Sequence, residues 1–183
     1  MIPAGYMAKR VVARPSWLPA ERVSSIHSVS GCISKNFADY INFWKHNGYW
    51  LFNSPDVIVE VARENHIHLA DTALFFYEVH ELQFNSGEWT SFQPETSFGI
   101  DVSVPEAKEL EGYDVVTFYL QTSPGCSPLS CNSLAAKIET NARCLLRSFE
   151  QARTLLENGT FNDSEPGPYR IFTVYSVAWP GDG

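Results

Sequence analysis

Residues Leu74 to Phe84 read LFFYEVHELQF, aromatic and aliphatic side chains interrupted by single polar ones, and the period of that interruption decides the fold. Alternation places Leu74, Phe76, Glu78, His80, Leu82 and Phe84 on one side and Phe75, Tyr77, Val79, Glu81 and Gln83 on the other, which is the two-residue repeat of a β-strand. Neither side is the more polar, so the strand alone does not assign a buried face. Asn85-Ser86-Gly87 follows as a turn, and Trp89 to Phe92 reads as the return strand of a hairpin.

The same period extends further along the chain. Phe98, Ile100, Val102 and Val104 alternate with Ser97, Gly99, Asp101 and Ser103, giving one apolar and one wet face. Tyr113 to Gln121 and Tyr169 to Val177 are two further strands rich in β-branched and aromatic residues. Toward the N-terminus, Lys9 to Ala13 and Tyr49 to Phe52 read as short strands.

Two helices are signalled in the first third of the chain. Ser34 stands as an N-cap before Phe37, Tyr40, Ile41 and Trp44 at helical spacing, with Lys45 and His46 in the last turn and Gly48 beyond it. Ser54-Pro55-Asp56 sets a cap, a proline at the first helical position and an acid at the positive end of the dipole. That helix is expected to reach Asn65 and to bury Ile58, Val61 and Ala62.

A third, longer pattern lies between the last two strands. Leu134, Ile138, Ala142, Leu145, Phe149, Ala152 and Leu156 recur every three or four residues, and Asn158-Gly159 supplies a stop. It predicts a long helix beginning at Leu134 or as early as Pro128, with Thr140-Asn141 as a bend. The expected architecture is therefore a single α+β domain over residues 1–183, its mostly antiparallel sheet covered on one face by helices, including one long C-terminal helix followed by a final strand. Residues 1–8 and 179–183 read as loose tails.

Composition narrows the partners. The chain of 183 residues carries 13 Lys and Arg against 21 Asp and Glu, a net charge of -8, which repels phosphate backbones and anionic lipid. No nucleic acid and no membrane partner is expected, and no apolar run approaches the roughly 20 residues that span a bilayer. The basic residues of MIPAGYMAKRVVARP follow its apolar stretch, the reverse of a secretory signal. A cytoplasmic protein is expected, in which the four cysteines are thiols and the sequons at Asn158 and Asn162 carry no sugar.

Chemistry-bearing candidates are few. Cys131, in the stretch PGCSPLSCNSLA at Pro124 to Ala135, would have a depressed pKa if it sat at a helix N-terminus, but on a helix from Pro128 it falls on the apolar stripe. Cys126 and Cys131 have zinc-compatible spacing, yet the nearest further ligands, His66 and His68, are remote in sequence; no metal and no cofactor are predicted. Glu78 beside His80 is a candidate acid–base pair. Trp44, Trp50, Trp89 and Tyr175 are candidate binding aromatics, with core packing as their plain alternative.

Phosphate-cradling glycine loops, the H-E-x-x-H zinc motif and the G-x-S-x-G elbow are all missing. These features favour a non-enzymatic acidic protein that binds a protein partner, basic in charge, as a stoichiometric inhibitor or immunity-type protein. The alternatives are a small enzyme using Glu78 and His80 or Cys131, and a small-ligand carrier with an aromatic pocket. Oligomeric state is not legible.

Overall fold

A computed structural model of the protein describes residues 1–37, 46–92, 101–118 and 124–181. The strands are β1 (Ile2–Arg10), β2 (Val12–Ala13), β3 (Ser25–Ile26), β4 (Lys35–Asn36), β5 (Ala73–Val79), β6 (Leu82–Asn85), β7 (Glu88–Ser91), β8 (Glu109–Thr117) and β9 (Tyr169–Val177). The α-helices among the described residues are α1 (Pro55–Glu64) and α2 (Phe149–Glu157). None is long and apolar enough to cross a membrane.

Seven strands form one sheet in the order β4-β1-β5-β9-β6-β7, with β8 also paired to β9. Every strand pairing of this sheet among the described residues is antiparallel. The expected long strand is broken after Val79: β5 pairs with β9 from Leu74↔Val177 to Val79↔Phe172, and after the break Phe84 of β6 meets Tyr169 further along the same edge. The hairpin β6–β7 then turns at Ser86 and Gly87, both at positive φ. Leu74, Phe75, Phe76, Tyr77 and Val79 are all buried. Both faces of β5 are covered, which is why its sequence showed no wet side.

The chain is mixed α and β with an antiparallel main sheet, but the expected long C-terminal helix is overturned. Residues 134–157 hold only a 3-10 turn at Leu134–Ala136 and the short α2, and the final strand β9 pairs directly with β8 without a helical crossover. Asn141 decides against the helix. Its side-chain oxygen accepts from the backbone N–H of Arg143 and Leu145 at 2.9 and 3.1 Å, and its amide donates to the Glu111 carbonyl at 2.6 Å. Asparagine competing for backbone groups in this way disfavours helix interiors. Leu146 then exchanges backbone bonds with Tyr113 on β8, and Leu145 and Leu146, adjacent in sequence, are both fully buried. A new helix starts only where Ser148 caps the Gln151 N–H at 3.1 Å.

Other expectations are corrected in the same way. Residues 2–8 are not a tail: they belong to β1, where Ala4, Tyr6, Met7 and Ala8 are buried. Trp179 is anchored by its indole N–H on the Thr72 carbonyl at 3.2 Å. Lys35 and Asn36 pair with Arg10 and Lys9 as β4, so no helix begins at Ser34; the remainder of that expected helix, residues 38–45, lies outside the described residues, as do residues 98–100 of the expected Phe98–Val104 strand. Tyr49 to Phe52 contributes only a bridge from Phe52 to Tyr6. By contrast α1 forms over Pro55–Glu64 with Ser54 as cap and Ile58, Val61 and Ala62 buried.

Register fixes what shares a face. Asp114 stands opposite Phe172 and Val116 opposite Arg170, on the side away from Val115 and Ile171. The second group packs with Ala152 and Leu156 of α2. The register of β8 shifts between Leu110 and Gly112. Gly112 has φ +144, and a Cβ there would lie 2.8 Å from Leu145 Cβ and from the Leu146 carbonyl oxygen. Gly112→Ala is therefore expected to lose about 1–3 kcal/mol through overpacking, read as a lower midpoint of urea unfolding; an unchanged midpoint would mean that the 141–146 segment yields freely.

Candidate functional site

Beyond the sheet, two loop segments come together over β8. The point of attachment is Asp114, a fully buried aspartate on β8. Its carboxylate accepts from Ser28 Oγ at 2.6 Å, the Val29 N–H at 3.0 Å and Ser127 Oγ at 2.6 Å. Burial raises the Asp114 pKa, against the pull of these hydrogen bonds and the Lys9 charge. Lys9 on β1 is itself fully buried, with Nζ donating to the carbonyls of Val29 at 3.2 Å and Ser30 at 2.7 Å.

Smaller bonds carry this order to three cysteines. Ser28 Oγ accepts the Ser30 N–H, and Ser30 Oγ accepts the Cys32 N–H at 3.1 Å. On the other segment the Cys126 carbonyl accepts the Thr117 N–H at the end of β8, and the Cys131 N–H donates to the Ser127 carbonyl at 2.8 Å. The sulfurs of Cys32, Cys126 and Cys131 all lie within 4.8 Å of one another. Cys32 Sγ is 3.3 Å from Cys126 Sγ. Cys32 is exposed, whereas Cys126 and Cys131 are half-buried.

The three thiols share charge unequally. The Cys131 thiol donates to Cys32 and, with help from Ser30, Cys126 and Lys35 against burial, holds Cys32 down to about 5. Burial and the Cys32 sulfur push Cys126 up to about 11. The hydrogen bond to Cys32, followed by burial, raises Cys131. Solvent exposure and these donors favour negative charge on Cys32 over its two neighbours.

The residues singled out from sequence divide between this site and other places. Cys131 belongs to the cluster, but on a turn and not on a helix's apolar stripe. Its zinc-spaced neighbour Cys126 is joined by Cys32 and not by His66 or His68. Glu78 is bound to Lys108 Nζ at 2.6 Å and accepts from the Tyr175 hydroxyl at 3.0 Å, and Lys108 lies 4.1 Å from the Tyr175 ring centroid. His80 instead packs edge-on against Trp89 and Phe149 at 5.4 and 4.9 Å between centroids, its pKa lowered by burial. No hydrogen bond links Glu78 to His80 among the described residues, because β5 ends between them.

The candidate binding aromatics have no common centre. Trp50, at φ +58, stacks on His46 at 3.8 Å. Trp89 donates from its indole to Glu157 at 2.9 Å, and Trp44 lies outside the described residues. A cleft of about 410 Å³ opens beside the β6–β7 turn and the end of α2, lined by Asn85, Glu157, Asn162 and Glu165 among others. Trp50, Trp89 and Tyr175 are not part of its wall.

Sequence reasoning missed Cys32, which stands 94 positions before Cys126. Its only signal was the serine-rich run SSIHSVSGCIS at Ser24 to Ser34, a counterpart to the serine-rich run around Cys126. The chain matches no family model, no curated protein and no solved structure.

If Asp114 is the tether, Asp114→Ala should leave the Ser28 hydroxyl, the Val29 N–H and the Ser127 hydroxyl without their buried acceptor and lower stability by about 3 kcal/mol or more, at roughly 1–3 kcal/mol for each unsatisfied buried donor. Urea unfolding followed by tryptophan fluorescence measures this. A loss below about 1 kcal/mol, the scale of an exposed pair, would remove Asp114 from that role.

Proposed function

We propose that the protein is a dithiol exchange protein that acts on disulfides through Cys32, with Cys126 as the resolving thiol. The observation that carries this reading is the exposed Cys32 sulfur 3.3 Å from Cys126 Sγ, on segments pinned to one carboxylate. Closing a bond of about 2.05 Å needs an approach of about 1.2 Å, within reach of side-chain rotation. This reading develops the thiol-enzyme alternative but moves the attacking sulfur from Cys131 to Cys32.

The chemistry balances without a cofactor. The Cys32 thiolate attacks one sulfur of a substrate disulfide R–S–S–R′, the S–S bond breaks, and R′–S⁻ leaves and takes up a proton. Cys126 loses its proton and attacks Cys32 Sγ in the mixed disulfide, expelling R–S⁻. The protein dithiol is oxidised to the Cys32–Cys126 disulfide, and the substrate is reduced to two thiols. A thiol reductant of the kind that fills a reducing cytoplasm returns the protein to its starting state, which fits the proposed cytoplasmic location.

Reaction of the reduced protein with glutathione disulfide tests the assignment. The wild type should release two equivalents of glutathione and yield a Cys32–Cys126 disulfide by peptide mapping. The double variant Cys126→Ser, Cys131→Ser should stop at a glutathione adduct on Cys32, and Cys144→Ser, which removes a buried thiol outside the cluster, should behave as wild type. An adduct preferring Cys131 or Cys126, or the absence of any bond to Cys32, would sink the reading.

A second reading keeps the acidic protein as a stoichiometric binder of a basic protein partner, supported by the net charge of -8. Attraction of that origin weakens as salt shortens the screening length. A basic partner should therefore bind at least about tenfold more tightly at low than at high salt by calorimetry; equal affinity at both would exclude it.

A further inference from the structure

Exchange requires two thiols, and the cluster has three. We infer that Cys32, Cys126 and Cys131 form a site for one thiophilic divalent metal ion of the zinc type, held by three thiolates with its fourth position open to solvent. The inference rests on the same sulfurs as the exchange reading but needs Cys131 as a ligand, whereas in exchange Cys131 forms no bond to sulfur and acts only through its hydrogen bond to Cys32.

Distance supports it first. A zinc ion about 2.3 Å from each of its tetrahedral sulfur ligands sets those sulfurs about 3.8 Å apart. The observed separations, from 3.3 Å for Cys32–Cys126 to within 4.8 Å for the whole group, bracket that value, so binding needs side-chain adjustments of a few tenths of an ångström to an ångström. Donor chemistry supports it next: sulfur alone selects zinc-like ions over magnesium or calcium, which take oxygen. This trio is the candidate metal group found among the described residues.

The backbone around the ligands is held by hydrogen bonds of its own. Cys32 is fixed through its N–H to Ser30 Oγ, Cys131 through its N–H to the Ser127 carbonyl, and Cys126 through its carbonyl to Thr117. Ser28 and Ser127 tie both segments to Asp114. Such supporting bonds orient ligands and reduce what binding must order. The exposure of Cys32 leaves one side of the trio facing water, and a site with three protein ligands and an open position can carry a water or an incoming ligand.

The test uses protein stripped of metal under reducing conditions and titrated with Co(II), then with Zn(II) as competitor. One equivalent of Co(II) should give a thiolate-to-cobalt charge-transfer band that Zn(II) abolishes, and Cys144→Ser should reproduce it. Cys131→Ser should lose the band and bind Zn(II) at least about a hundredfold more weakly, the upper range even for losing a group that merely supports a ligand. Its urea unfolding midpoint should match that of the wild type, which reports that the variant is folded. Cys32→Ser, altering an exposed side chain, should lose the band as well. A stripped wild type without the band, or a Cys131→Ser variant that binds Zn(II) like wild type, overturns the inference. Binding with the expected dependence on all three cysteines, but with no Cys32–Cys126 disulfide in the wild type, upholds the metal site and removes the exchange reading alone.

Discussion

The buried carboxylate of Asp114 is the constraint on which the upper part of the molecule depends. A carboxylate out of water is tolerated only where hydrogen bonds and opposite charge replace its hydration. Here two serine hydroxyls and an amide from separate segments do so, with Lys9 on the neighbouring part of the sheet supplying charge. Each donor also has a second effect, because Ser28 and Ser127 lie a few residues before Cys32 and beside Cys126. Satisfying the carboxylate therefore fixes the relative position of the cysteines. Buried ion networks are weak contributors to net stability when compared with an apolar replacement, so the value of this one lies in placing two irregular segments that have little regular structure of their own.

A second buried charge organises the opposite end of the same sheet face. Arg170 is fully buried, with its guanidinium carbon 3.9 Å from the Phe92 ring centroid and 5.4 and 5.6 Å from those of Tyr49 and Phe118. Nη2 donates to the His80 carbonyl at 2.6 Å. The aromatic faces offset part of the lost hydration, and burial lowers its pKa to about 10, so the group stays cationic at neutral pH. Its bond to His80 falls where β5 gives way to β6. That break lets one edge of β9 serve two strands, and it separates His80 from Glu78. At this break the His80 backbone is held on both sides, its carbonyl by Arg170 and its N–H by the Ile171 carbonyl.

What the sequence revealed depended on whether a signal was local. The helix over Pro55–Glu64 was legible because its cap, proline and apolar spacing all sit within ten residues, and β9 because all of it but Arg170 and Ser176 is aromatic or β-branched. The 134–156 pattern misled because apolar spacing alone cannot distinguish a helix from an irregular segment that buries neighbouring residues through turns. The Asn141 amide reaches the Glu111 carbonyl on β8, which a local reading cannot see, and the local cap at Ser148 that starts the true helix was passed over for the longer apolar pattern. Of the site, Cys126 and Cys131 were visible as a pair. Cys32 was not, because its approach is created by sheet topology and by Asp114, an aspartate with no distinguishing local context.

Exchange and metal binding make opposite demands on the same sulfurs, and this is a property of the cluster itself. A sulfur bonded to another sulfur has no lone charge to give a metal, and a sulfur bound to a zinc-type ion is a poorer nucleophile than a free thiolate. If the trio does both, oxidation of Cys32 and Cys126 must release the ion, leaving Cys131 as the last thiol, and occupancy must slow attack by Cys32. Each state would then report on the other by linkage: raising free metal stabilises the reduced form, just as raising disulfide lowers apparent metal affinity. Neither effect requires the sheet to move, because the segments carrying the cysteines are anchored by Asp114 and Lys9 in both. The change would be confined to three side chains on a fixed platform, and the exposed one, Cys32, is where solvent, metal and disulfide would compete.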